Sequence, residues 1–300
     1  GKNTPILKIV DFLNARAREN QWGFVDFNRP MVAINQWEQA ADSMYTLCGK
    51  DRIHPSTDGH LVMAYLFLKA QGLAGKPVAD IRIDGAGKKV TRSDNCRVSD
   101  LSISSDNLTF TYEAKSLPYP IDTSYYDNEK HTQADALSVI PFMDEMNYEG
   151  LSVSGLSDGY YGLTIGGEFI GRFTARELER GINMALLQNT PQYKQAMKIR
   201  QMNEERWLKE RKMREFYWVE YNLMRKTGML WACNEAAVDT LRKYRPHDIF
   251  LQWNGALWLQ YMHKGIREDC VNEQQDLVNQ IYEQNKPIPL RIEIKKFTDL

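Results

Sequence analysis

The order of apolar and polar positions divides the chain into stretches of different period. Residues 6–19 carry the spacing of an amphipathic helix, and 22–27 (Trp-Gly-Phe-Val-Asp-Phe) reads as a strand. A helical stretch follows Asn28-Arg29-Pro30 through residue 44, and residues 61–68 form an almost wholly apolar helix. The period changes at Lys76-Pro77. Residues 78–83 alternate, Asp84-Gly85-Ala86-Gly87 supplies a turn, and 88–92 can return antiparallel, which predicts a hairpin. Further short strands are expected at 98–103, 108–114, 151–153, 161–165 and 168–173, the last two joined by Gly166-Gly167. From Thr174 the pattern is helical. Thr174-Ala175-Arg176-Glu177 has the form of a capping box and opens a helix to about residue 187, and Thr190-Pro191 then starts a long one over 192–226. Helices are expected at 235–244, 249–263 and 271–285, and 288–296 alternates like an edge strand.

Composition narrows the function classes. Of 300 residues, 43% are hydrophobic and 26% charged, enough to bury a sizeable core in two or three domains. A net charge of −1 gives no electrostatic reason to expect nucleic acid or an anionic membrane as partner. No apolar run approaches the roughly 20 residues needed to cross a bilayer. Cys48, Cys96, Cys233 and Cys270 are scattered without zinc-site spacing, so they read as free or buried thiols, or as one or two disulfides in an exported protein. No metal and no cofactor are expected. The long charged helix reads as a core stripe with a solvated face. Tyr112, Tyr119, Tyr125, Tyr126, Tyr148, Tyr160 and Tyr161 crowd the strand-rich stretch; strand propensity explains them, and a carbohydrate-binding face would use the same residues.

One segment carries candidate chemistry. Asp51-Arg52-Ile53-His54-Pro55 runs into Ser56-Thr57-Asp58-Gly59-His60 and the apolar helix, which places a carboxylate and an imidazole on one tight loop. An imidazole so paired can take a proton from an attacking hydroxyl while the carboxylate fixes its tautomer. The plainer reading is a capped helix start, with Ser56 or Thr57 accepting from free amides and Asp58 at the positive helix end. Ser157, in Gly155-Leu156-Ser157-Asp158-Gly159, is expected in a hairpin turn and not in the strand-to-helix turn of a nucleophile.

The Asp51-Arg-Ile-His54-Pro block followed by Gly59-His60 and the apolar helix resembles the last sequence block of GDSL-type, or SGNH, hydrolases. The segments 151–156, 159–167, 173–178 and 181–185 resemble the tail of a group of such proteins. The resemblance implies His54 as general base and Asp51 as its partner. It implies three parts: residues 1–75 as the C-terminal part of a flavodoxin-like α/β hydrolase domain, 76–174 as a β-rich accessory module, and 175–300 as a helical region with a final short strand. The Gly-Asp-Ser, Gly and Gly-x-Asn-Asp blocks of that family are absent, so the chain reads as the C-terminal portion of a serine ester hydrolase without its nucleophile, inactive alone. A small-molecule or carbohydrate ester is the implied substrate, a secreted or periplasmic location the implied compartment, and a homo-oligomer the expected consequence of an uncovered sheet edge. The alternatives are a non-catalytic carbohydrate- or protein-binding module with a vestigial Asp51–His54 loop, and a helical interaction protein built on residues 192–226.

Overall fold

A computed structural model of the chain describes residues 3–124 and 131–297, so Tyr125 and Tyr126 lie outside the described residues. The chain forms two compact units, one of residues 1–194 with 287–300, the other of 195–286.

The first unit opens with α1 (Asn3–Asn20), α2 (Asn28–Glu38) and α3 (Thr57–Ala70). Residues 22–27, expected as a strand, form no ladder among the described residues, and Phe27 already has the right-handed helical backbone that opens α2. A strand is stable only when a neighbour takes its backbone groups, and among the described residues nothing in 3–78 pairs beyond one isolated bridge, Cys48 with Pro55. A flavodoxin-like arrangement needs a parallel sheet with helices on both faces. The only parallel pairing among the described residues is between two later strands, so the flavodoxin-like expectation is not confirmed: the N-terminal stretch is helical and looped.

The strands that follow are β1 (Ala79–Asp84), β2 (Lys89–Asp94), β3 (Cys96–Ile103), β4 (Asn107–Ala114), β5 (Glu149–Ser154), β6 (Tyr160–Ile165), β7 (Glu168–Thr174), β8 (Ile182–Asn183) and β9 (Leu290–Lys296). They make two sheets, ordered β2-β1-β5-β8 and β3-β4-β9-β6-β7. The first is mixed, since β1 runs parallel to β5 and antiparallel to β2. A parallel pair needs a long crossover; here it holds β2 to β4, a 3-10 turn at Gln133–Ser138 and α4 (Phe142–Glu145). Alternate side chains of both sheets share one core: Ile81, Ile83, Leu151 and Val153 from one, Phe110, Tyr112, Leu163, Ile165, Ile292 and Ile294 from the other.

Two sequence expectations change in this sandwich. The closing strand β9 pairs with β4 on one side and β6 on the other, so it lies inside its sheet and not at an edge. Alternation reports that one face is buried and is silent on how many neighbours a strand has. The turn at 155–159 is likewise no hairpin, because β5 and β6 belong to different sheets and the connection crosses between them.

Helix α5 (Ala175–Arg180) starts at the expected capping box: Thr174 Oγ1 accepts from the Glu177 amide at 3.2 Å and Glu177 Oε2 accepts from the Thr174 amide at 2.7 Å. It stops well short of residue 187. Gly181 turns the chain with φ +93, and Ile182 and Asn183 pair with Leu151 and Gly150 of β5. Asn183 Oδ1 also accepts from the Glu149 amide at 2.9 Å.

Glu149 is the main polar feature of this core. It is fully buried, and its Oε1 accepts from Tyr112 Oη at 2.8 Å and Gln192 Nε2 at 3.2 Å. Its Oε2 and the Gln192 Oε1 have no partner among the described residues. Burial pushes the carboxyl up from its ordinary 4.5 to about 7, against the opposing pull of the Tyr112 and Gln192 hydrogen bonds. The core therefore holds a carboxylic acid that ionises reluctantly.

Helix α6 (Pro191–Val219) carries the chain into the second unit, followed by one π-helical turn at Glu220–Met224. Helices α7 (Glu235–Tyr244), α8 (Ile249–Tyr261) and α9 (Lys264–Gln284) complete it around Phe216, Val219, Met224, Leu241 and Trp258. Glu220, fully buried on the π turn, accepts from Trp258 Nε1 and from the Trp231 amide, both at 2.8 Å. All four cysteines are free. No helix of the described residues is long and apolar enough to cross a membrane.

Candidate functional site

The loop between α2 and α3 is closed at its base. Leu47, fully buried, takes the Ser56 amide on its carbonyl at 3.0 Å, and the Gly49 amide donates to the His54 carbonyl at 2.8 Å across the Cys48–Pro55 bridge. Arg52 turns the tip with φ +56, supported by its amide to the Gly49 carbonyl at 2.9 Å. Leu47 belongs to the same apolar cluster as Leu61, Val62 and Tyr65 of α3, so the base of the loop is tied to the helix it feeds.

At the tip the two expected site residues meet. Asp51 Oδ2 lies 2.6 Å from His54 Nδ1, while Asp51 Oδ1 accepts from the amides of Ile53 at 2.9 Å and His54 at 3.1 Å. An ionised carboxylate only accepts, so Nδ1 carries the proton in this contact and Nε2 is left as the basic nitrogen. The His54 hydrogen bond, helped by the two amides, lowers Asp51 to about 2, so it is a carboxylate throughout the neutral range. The His54 side chain is 83% exposed and Nε2 is open to solvent, which is the orientation a base needs toward a substrate. Among the described residues no serine hydroxyl is hydrogen-bonded to His54. Ser157 instead accepts from Lys296 Nζ at 2.7 Å, beside Tyr161 Oη at 3.1 Å, in the β sandwich.

Sequence reasoning missed what lies under the loop. Asp58, 1% exposed, accepts from the Ser56 hydroxyl and from the Gly59 amide at 2.8 Å, and its Oδ2 lies 3.5 Å from His131 Nδ1. The capped-helix reading named Ser56 and Asp58 but assigned them to the helix end. No local signal could have brought His131 to them, since the contact joins two distant parts of the chain. A separate cavity of about 430 Å³ in the helical unit is lined by Trp218, Asn222, Tyr244, His247 and Asp248, among others. Among the described residues no group of three or more His, Cys, Asp or Glu could hold a metal ion.

Comparisons with known proteins place the chain in a family. Residues 197–286 match the family model described as the diltiazem deacetylase C-terminal helical domain. A solved structure described as "BT4096 a gut microbial diltiazem-metabolizing enzyme" shares 41% identity and a TM-score of 0.92, over 99% of this chain and 67% of that one. No protein of curated function matches the chain. These findings overturn the GDSL-type resemblance, and with it the reading of the chain as an SGNH fragment stripped of its nucleophile. The physical reason is that an Asp-x-x-His-Pro loop entering a capped helix, and short strand and helix segments such as 151–156 and 173–178, are local solutions that do not define the sheet behind them. The chain belongs to the family of the diltiazem-metabolizing enzyme.

Proposed function

We propose that the protein hydrolyses acyl esters of small molecules, acetyl esters in the first place, with His54 as general base and Asp51 as the group that orients it. In this reading His54 Nε2 takes the proton of the attacking oxygen as that oxygen bonds to the ester carbonyl. It returns the proton to the leaving alkoxide as the C–O bond breaks, so that ester and water give acid and alcohol. Asp51 remains ionised, fixes the Nδ1–H tautomer and stabilises the imidazolium between the two steps.

The observation that carries the reading is the 2.6 Å Asp51–His54 contact, on a loop whose base is buried and whose imidazole is open. The substrate class is supported by the relative, which is described as metabolizing diltiazem, and by the matching family model, described by a deacetylase. The test is acetate release by the intact protein from diltiazem, 4-nitrophenyl acetate and an acetylated sugar, each with the wild type and His54→Ala. Release from at least one ester, lost in His54→Ala, is expected. Undiminished release by His54→Ala removes this residue from the mechanism, and no release from any ester removes the esterase reading.

A further inference from the structure

We propose that Asp58, joined by Ser56 and His131, is a positioning centre for the His54 loop: a buried carboxylate that holds the base of the loop in register so that the Asp51–His54 pair at its tip keeps one geometry. The inference rests on the reading of His54 as general base.

Asp58 is nearly inaccessible, which an aspartate accepts only when its oxygens are satisfied. One oxygen takes both the Ser56 hydroxyl and the Gly59 amide, and the other faces the His131 ring. Ser56 is itself 2% exposed and its amide closes the loop on the Leu47 carbonyl, so the hydroxyl contact to Asp58 and the backbone contact to Leu47 fix the same residue from two sides. Two positions along the chain from Ser56 stands His54. Gly59 packs so closely that a Cβ there would lie 2.0 Å from the Leu47 oxygen, which leaves the loop base no room to slide along α3. Asp58 is also in the first turn of α3, where the free amides favour a negative charge.

His131 brings the other side of the pocket. It lies just ahead of the 3-10 turn that packs on α3, and Tyr45 meets its ring edge-on at a centroid distance of 6.4 Å. Tyr45 and Cys48 both feel the Asp58 charge; Tyr45 also feels Glu38 and Asp135, and Cys48 also feels Asp51. Burial, then the Asp58 carboxylate and the acids Glu38 and Asp135, push Tyr45 up to about 12, so it stays a neutral wall. His131 is the one basic group that faces Asp58 in this set.

The experiment compares Asp58→Ala, Asp58→Asn and His131→Gln in the intact protein, by ester hydrolysis and by the NMR signals of the His54 imidazole. Asp58→Ala is expected to lower kcat about 10²-fold with KM nearly unchanged, the signature of a displaced reacting group. It is also expected to broaden or shift the His54 Nδ1 proton signal while circular dichroism stays native. Asp58→Asn keeps an oxygen for Ser56 and Gly59 and should recover most of that loss, to within about tenfold of wild type. His131→Gln, at a side chain 35% exposed, should show a smaller loss of the same kind. If both Asp58→Ala and His131→Gln keep wild-type kcat and an unaltered His54 signal, and only the melting temperature falls, the positioning role is refuted. If His54→Ala itself hydrolyses as fast as wild type, the general-base reading fails instead, and the His54 signal in the Asp58 variants still decides whether the centre positions the loop.

Discussion

Replacing Glu149 by glutamine should stabilise the protein, and by an amount that depends on pH. In the folded chain the carboxyl titrates near 7, and in the unfolded chain near 4.5. Below 4.5 both states hold the proton and Glu149 contributes no pH dependence. As pH rises from 4.5 to 7 the unfolded state releases its proton while the folded state keeps it, so stability falls; above 7 both states are ionised and the loss is complete. At about 1.4 kcal/mol per unit, the raised value corresponds to about 3 kcal/mol of stability missing at pH 8. The side chain is fully buried, so bulk water does little to screen this cost. Glutamine cannot ionise, and its amide oxygen can keep accepting from Tyr112 Oη and Gln192 Nε2. Glu149→Gln should therefore gain about 3 kcal/mol at pH 8 and less than about 1 kcal/mol at pH 5. Denaturant unfolding at the two pH values measures this, with hydrogen exchange at β5 to assign the change to the sandwich core. A variant destabilised equally at both pH values, or a wild type whose difference from the variant does not change between them, would show that Glu149 does not titrate differently in the folded chain.

Three further substitutions probe the supports of the fold. Gly59→Ala sets a Cβ 2.0 Å from the Leu47 oxygen, so it should cost about 3 kcal/mol in denaturant unfolding and weaken the Ser56–Leu47 closure; a stability unchanged from wild type would mean that the loop base is free to move. Glu220→Ala strands the buried Trp258 indole donor and releases the part-buried Trp231 amide, and should cost about 1–3 kcal/mol, read as earlier unfolding of the helical unit in a thermal scan. Asp248 accepts from the Phe250 and Leu251 amides at the start of α8, so Asp248→Ala should cost about 1 kcal/mol in the same unit, and loss of exchange protection in the first turn of α8 would localise it.

Local chemistry was legible in the sequence wherever a few neighbouring residues decide the outcome. The β6–β7 hairpin follows from Gly166–Gly167 between alternating runs, and the start of α5 from the Thr174–Glu177 pair. The Asp51–His54 contact is of the same kind, since three residues of separation and an Asx-type turn bring the groups together. What could not be read depends on partners far away in the chain. β9 is central because β4 and β6 flank it, and its own alternation would look the same at an edge. Residues 22–27 have strand composition but no ladder partner among the described residues, and α5 ends at Gly181 because β5 offers Ile182 and Asn183 a ladder. Asp58 reads as a helix-end acid until His131 is set against it, and Glu149 reads as an ordinary strand residue until Tyr112 and Gln192 close over it. The family resemblance failed for a related reason: the loop motif is local, whereas the sheet it was taken to imply is not.

In the proposed reaction Asp51 and His54 act as one unit in ester hydrolysis. The most direct measurement is a double-mutant cycle on kcat/KM for an acetyl ester, with Asp51→Asn, His54→Ala and the two combined, in the intact protein. Asp51→Asn should lower the rate about 10³–10⁴-fold by losing the correct tautomer, and the double variant should be no slower than His54→Ala alone. Losses that multiply, or an Asp51→Asn variant as fast as wild type, would contradict it.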